Sequence, residues 1–117
     1  MKEEEKRSER PWGSWELLFA GDGFKVKRII VKPGQRLSLQ SHEKRSEHWT
    51  VVRGIATIVI GDKEETVNYN QSRYIEKKQK HRLENHTKTD VEIIEVQCGE
   101  YLGEDDITRY SDDYNRK

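Results

Sequence analysis

The residues of this chain best suited to chemistry are four histidines, His42, His48, His81 and His86, together with their polar neighbours. From Pro33 to Gly54 the chain reads PGQRLSLQSHEKRSEHWTVVRG. Alternate residues of a strand share a face, so Arg36, Ser38, Gln40 and His42 point one way. On the strand that follows, Glu47, Trp49 and Val51 share a face and His48 takes the other. The short gap Glu43–Ser46 is enough to turn the chain back. If these strands belong to a barrel, Gln40, His42 and Glu47 converge inside it. An amide oxygen, an imidazole and a carboxylate suit a divalent transition metal, and the lack of a thiolate argues against a structural zinc site. A further ligand must come from elsewhere. His81, within NQSRYIEKKQKHRLEN, sits in a short strand bounded by polar turns. It would complete a three- or four-ligand set, with positions left for water or substrate as catalysis requires. His48 faces away from Glu47 and reads as structural, and His86 lies in a polar loop.

The elements that must position these residues have period two. Candidate strands are Trp15–Phe19, Phe24–Lys32, Leu37–His42, Glu47–Arg53, Ile55–Ile60, Glu64–Tyr69, Ser72–Glu76, Lys80–Glu84 and Val91–Cys98. Turn residues separate them, among them Gly21-Asp22-Gly23, Pro33-Gly34, Gly54 and the hairpin signal Gly61-Asp62. Strands recurring every 8–12 residues or so indicate an all-β sandwich or barrel. One helix is expected, over about Glu104–Ser111, with Glu104, Asp105 and Asp106 in its first turn. Residues 1–9 read as a charged flexible tail, and residues 10–117 as one domain.

Composition narrows the function classes. The 117 residues weigh 13.9 kDa, enough for one domain. Charged residues make up 38% and hydrophobic ones 32%, but Lys plus Arg (22) equals Asp plus Glu (22). That balance removes self-repulsion and argues against a dedicated nucleic-acid binder. No apolar run is long enough for a membrane span. The charged N-terminus is unlike a signal peptide, so the expected compartment is the cytoplasm. The single cysteine, Cys98, cannot form an internal disulfide.

The two histidine segments resemble the two cupin motifs. The first has Gly34, five residues, Gln40-x-His42, four residues, Glu47, six residues and Gly54. The second has Asn70, five residues, Glu76-x-Lys78, two residues, His81, three residues and Asn85. Asn70, Glu76 and Lys78 stand where the motif usually has Gly, Pro and Gly, and Gln40 stands at its first histidine. The resemblance implies a cupin, a double-stranded β-helix or jelly-roll barrel.

Longer stretches narrow it. RPWGSWELL, FKVKRIIVKPGQRLSLQSH, RSEHWTVVRGIA, KHRLEN and IIEVQCGEYLGEDDITRY resemble the cupin domain of type II mannose-6-phosphate isomerases. That domain also forms the C-terminal part of bifunctional mannose-1-phosphate guanylyltransferases. The resemblance runs from about Arg10 to the C-terminus. Gln at position 40 is usual in that family. The family's histidine-rich stretch is here Ser41-His42-Glu43-Lys44-Arg45, which keeps His42 and Arg45 but not the other histidines.

The resemblance implies interconversion of mannose 6-phosphate and fructose 6-phosphate through a cis-enediol. A divalent ion (Zn, Mn, Fe, Co or Ni) held by Gln40, His42, Glu47 and His81 would act as Lewis acid on O1 and O2. The phosphate calls for Arg or Lys: Arg36 and Arg45 first, then Arg82 and Lys27. For Arg36 and Arg45 the competing reading is an ordinary ion pair. The base is open among Glu95, Lys27 and Tyr101. Exposed sheet edges favour a homodimer. Guanylyltransferase activity is not expected, because the chain lacks a Gly-rich phosphate loop. The alternatives are a non-catalytic cupin that binds sugar phosphate or partners a separate guanylyltransferase, a cupin-type phosphoglucose isomerase, and a cupin oxygenase.

Overall fold

The computed structural model describes residues 6–114. Its strands are β1 (Arg7–Arg10), β2 (Gly13–Gly21), β3 (Phe24–Val31), β4 (Leu39–Ser41), β5 (Arg45–Arg53), β6 (Ala56–Ile60), β7 (Lys63–Val67), β8 (Ser72–Ile75), β9 (His81–Glu84), β10 (Val91–Gly99) and β11 (Thr108–Ser111). They form two antiparallel sheets, ordered β1-β2-β3-β10-β5-β8 and β11-β4-β9-β6-β7. The inner faces enclose a core with a cavity at one end. Alternation in the sequence explains the inward faces. In β10, VEIIEVQCG, burial alternates from Val91 to Gln97. In β5 the inward set is Arg45, Glu47, Trp49 and Val51, with His48 exposed. Gly61 and Asp62 close the β6–β7 hairpin, and Gly61 adopts φ 63° as such a tight turn requires.

Two expectations change. The tail over residues 1–9 falls partly outside the described residues. Its later part joins Arg10 in β1 (Arg7–Arg10), paired antiparallel with β2 so that Ser8 lies opposite Trp15. The helix expected over Glu104–Ser111 is not formed, and no helix occurs among the described residues. Its acidic first turn is used otherwise. Glu104 binds Lys27, and the Asp106 carboxylate accepts from the backbone amides of Glu43 and Lys44, both at 2.9 Å. Thr108–Ser111 then pairs as β11 with β4, as its β-branched and aromatic residues favour. No helix is long and apolar enough to cross a membrane among the described residues.

Candidate metal centre

Three elements bring the histidine and carboxylate ligands together. His42 follows β4, Glu47 lies on β5 and His81 opens β9. One ligand atom from each lies within 4.8 Å of the others, and all three residues are buried. Gln40 joins them because β4 pairs with β9 at Gln40 and His81. Its amide nitrogen donates to Ser38 Oγ at 3.0 Å, which leaves the amide oxygen as its ligand atom.

The imidazoles are set up as ligands. His42 Nδ1 lies 2.7 Å from the Asp106 carbonyl and His81 Nδ1 lies 2.9 Å from the Gln79 carbonyl. A carbonyl only accepts, so each Nδ1 carries the proton and each Nε2 offers its lone pair to the cluster. Burial disfavours the charged ring, pushing His42 down to about 4 and His81 down in the same direction. For Glu47, burial opposes ionisation, but Arg45 and the two imidazoles outweigh it and hold the carboxyl at about 2. Trp49 Nε1 donates to Glu47 Oε1 at 2.8 Å. Arg45 Nε donates to Glu47 Oε2 at 2.7 Å, and its Nη2 to His42 Nε2 at 3.2 Å. Neutral imidazoles, an ionised carboxylate and an amide oxygen, each oriented by a second partner, fit a divalent metal ion.

The cluster opens onto a cavity of about 180 Å³. A water molecule occupies roughly 30 Å³, so a small polar molecule has room beside an ion. On the wall formed by β10, Glu95 and Gln97 are buried, and Gln97 donates to Glu95 at 2.6 Å. Burial, reinforced by the negative charge of Glu47, pushes Glu95 up to about 8. Lys27 Nζ lies 2.5 Å from Glu104 and 4.4 Å from the centre of the Trp15 ring.

The structure thus gathers Gln40, His42, Glu47, His81, Arg45, Glu95 and Lys27 around one cavity. Three residues singled out with them lie elsewhere. Arg36 is half-exposed and forks onto Asp113 at 2.8 and 3.0 Å. It does not share the face of Gln40 because the chain between Arg36 and Leu39 is not a strand, so alternation is interrupted. Arg82 donates to the Leu37 and Ser111 carbonyls. Tyr101 is exposed, and its hydroxyl binds the Asp105 carboxylate, which raises its pKa. Conversely, Arg10, Arg109, Gln97 and Glu104 line the cavity without having been singled out. Arg10 is the first residue after the expected tail and Arg109 lies in the expected helix, so no strand pattern marks either. Reading Thr108–Ser111 as a strand would have placed Arg109 opposite Gln40, where it lies.

Solved structures with this architecture are cupins. The capsular polysaccharide assembling protein CapF from Staphylococcus aureus superposes with TM-score 0.79 at 22% identity, over 90% of this chain and 34% of that one. KdgF from Halomonas gives 0.74 at 11% identity, over 82% and 84%. A cupin-superfamily sugar phosphate isomerase from Silicibacter pomeroyi gives 0.65 at 22% identity, over 73% and 58%. At these identities the likeness establishes the fold, a cupin. Residues 1–112 match the family described as mannose-6-phosphate isomerase C-terminal, and the chain belongs to that family. It is 54% identical over 107 residues to the alginate biosynthesis protein AlgA of Pseudomonas aeruginosa, covering 92% of this chain and 22% of that protein. Identity to the xanthan biosynthesis protein XanB of Xanthomonas campestris is 52%, over 92% and 23%. Identity to a mannose-1-phosphate guanylyltransferase of Escherichia coli is 47%, over 92% and 22%. The chain spans less than a quarter of the length of these relatives.

Proposed function

We propose that this cupin domain interconverts mannose 6-phosphate and fructose 6-phosphate, with a divalent metal held by Gln40, His42, Glu47 and His81. When bound, the metal would supply Lewis acidity toward the oxygens on C1 and C2. The observation that carries the reading is two buried carboxylates on one cavity in different surroundings, Glu47 among the imidazoles and Arg45 and Glu95 on the β10 wall beside Gln97, which push their pKa values in opposite directions. Environments that split two carboxyls this way assign them different roles. Glu47 stays ionised as a ligand. Glu95 titrates near neutrality, where a group can both take and return a proton, and an aldose–ketose isomerisation needs that exchange between C1 and C2. Among the earlier candidates Lys27 is engaged by Glu104 and Tyr101 is outside the cavity, so Glu95 is the base. Trp12 and Trp15 line the same cavity. Of the cavity's arginines, Arg10 and Arg109 are the first choices for the phosphate.

A coupled assay on metal-stripped protein tests this. Turnover of mannose 6-phosphate should appear on adding one of Mn, Fe, Co, Ni or Zn, exceed that of glucose 6-phosphate, and fall by about 10²–10⁴ in Glu95→Gln. The second reading is a cupin that binds sugar phosphate without turning it over and serves a separate guanylyltransferase. Retained sugar-phosphate binding with no turnover under any of these metals would select it and sink the first.

A further inference from the structure

The guanidinium of Arg45 occupies the atoms that a metal would use. Its Nε donates to Glu47 Oε2 and its Nη2 to His42 Nε2, and these two acceptors are 3.3 Å apart. His42 Nε2 has one lone pair, because the proton is on Nδ1. That lone pair can serve the guanidinium or a cation, not both. We propose that Arg45 is a built-in counter-ion: it holds the His42–Glu47–His81 cluster in ligand geometry without a metal, and a divalent cation binds by displacing it. The proposal rests on the metal reading above.

Three features support exchange rather than a fixed structural ion pair. First, the Glu47 carboxylate is 2% exposed and accepts from both Arg45 Nε and Trp49 Nε1. Such a charge needs a compensating cation at all times, and among the described residues Arg45, itself 6% exposed, supplies it in direct contact. Second, only the far end of Arg45 has freedom. Its backbone pairs with Gly99 of β10, and a Cβ on Gly99 would come within 3.0 Å of Arg45 Cα and 3.2 Å of its Cβ. The stem is therefore pinned while the fork adjoins the cavity. Third, Nη1 is buried with no hydrogen-bond partner, so the fork is not locked on that side. Retreat from Glu47 is not into an apolar wall, because Glu104 lines the same cavity and attracts the guanidinium.

The test is calorimetric titration of the metal-stripped protein with Mn²⁺, Co²⁺ and Zn²⁺, with melting temperatures of the stripped and loaded forms. Arg45→Met should bind these ions at least about tenfold tighter than wild type, since a positive charge a few ångströms from the ion is removed. Stripped Arg45→Met should melt below stripped wild type, and loading should narrow that gap. Arg45→Lys keeps the charge but cannot fork onto both ligands, so its affinity should rise by a smaller factor. It carries the test if the Met variant does not fold. If wild type binds metal and His81→Ala does not, but the folded Arg45 variants bind no tighter, the counter-ion proposal fails and the metal reading stands. If wild type binds none of the ions, both fail.

Discussion

Along β10 the inward side chains are Val91, Ile93, Glu95 and Gln97, none more than 4% exposed. Burial is uniform and chemistry is not. The same change of character occurs on β5 between Val51 and Glu47, on β9 between Leu83 and His81, and on β3 between Val31 and Lys27. One half of the barrel interior is thus dry, closed by Val31, Val51, Ile58, Val67 and Val91. The other half is equally hidden but holds the ionisable groups. In the dry half burial stabilises by roughly 25 cal/mol per Å² of apolar surface. In the polar half burial costs energy unless each group finds a partner. Trp49 marks the boundary: its ring packs in the core, and its indole N–H donates to Glu47. Because β3, β5, β9 and β10 each cross both halves, a rigid apolar end fixes the register of the reactive one.

The largest effect should come from the polar half. His81→Ala should weaken metal binding by at least about 1000-fold and abolish turnover, while circular dichroism and melting show the barrel retained. Unaltered turnover would mean that the ligand set is misplaced. Ile93→Ala, two residues from Glu95, should do the reverse. It should lose about 2–5 kcal/mol of stability in urea unfolding, with metal affinity of the folded protein unchanged. If stability and affinity move together in both variants, the two halves are not separable units.

Glu95→Gln sharpens the contrast, since it should stabilise the fold while removing activity. The folded pKa of Glu95, about 8, lies above its ordinary 4.5, so the folded protein holds a proton that the unfolded chain releases. The cost to folding is absent below pH 4.5 and grows as pH rises toward 8, reaching about 3 kcal/mol at pH 7. Melting temperatures of metal-free Glu95→Gln and wild type should coincide at pH 4 and separate above it, with the variant higher. A gap that is constant from pH 4 to pH 8 would show that the Glu95 pKa is not raised by folding, which removes the contrast with Glu47 on which its role rests. His42 has the opposite dependence. Its folded pKa is depressed from 6.5 to about 4, so its contribution is complete above pH 6.5 and lost as pH falls toward 4.

Much of the placement is legible in the residues. Alternation predicts the inward face of Glu47, Trp49 and Val51, and the two histidine segments predict that His42, Glu47 and His81 meet, as they do. The failures share a physical cause: alternation holds only where a strand is continuous. Arg36 was aligned with Gln40 across a segment that is not a strand, and the structure turns it to Asp113 instead. Acidic residues before Thr108 look like a helix start, but their partners, Lys27 and the amides of Glu43 and Lys44, are more than 60 residues away in sequence. Such long-range partners leave no local pattern, which is why Arg109 went unnoticed. Asn70 and Lys78 were noted as departures from a motif that usually has glycine there. Both adopt positive φ, 71° and 68°, so the backbone has kept the conformation that favours glycine.

Those two positions yield the smallest predicted effect, and they again divide by half. The Asn70 amide donates to the Val51 carbonyl, at the dry end, and the Lys78 amide donates to the His42 carbonyl, at the metal cluster. Asn tolerates the left-handed region because its short side chain bonds locally, whereas Lys has no such relief. The strain therefore sits at the reactive end. Lys78→Gly should raise stability by about 0.5–1 kcal/mol, less than the full strain because glycine also has more freedom in the unfolded chain. Asn70→Gly should change it by less than about 0.5 kcal/mol. Urea midpoints at constant m-value measure both. The Lys78 side chain is exposed and the hydrogen bond to His42 comes from the backbone, so Lys78→Gly should leave metal affinity unchanged. Weaker metal binding in the more stable variant would instead mean that the strained turn helps to aim His42 at the ion.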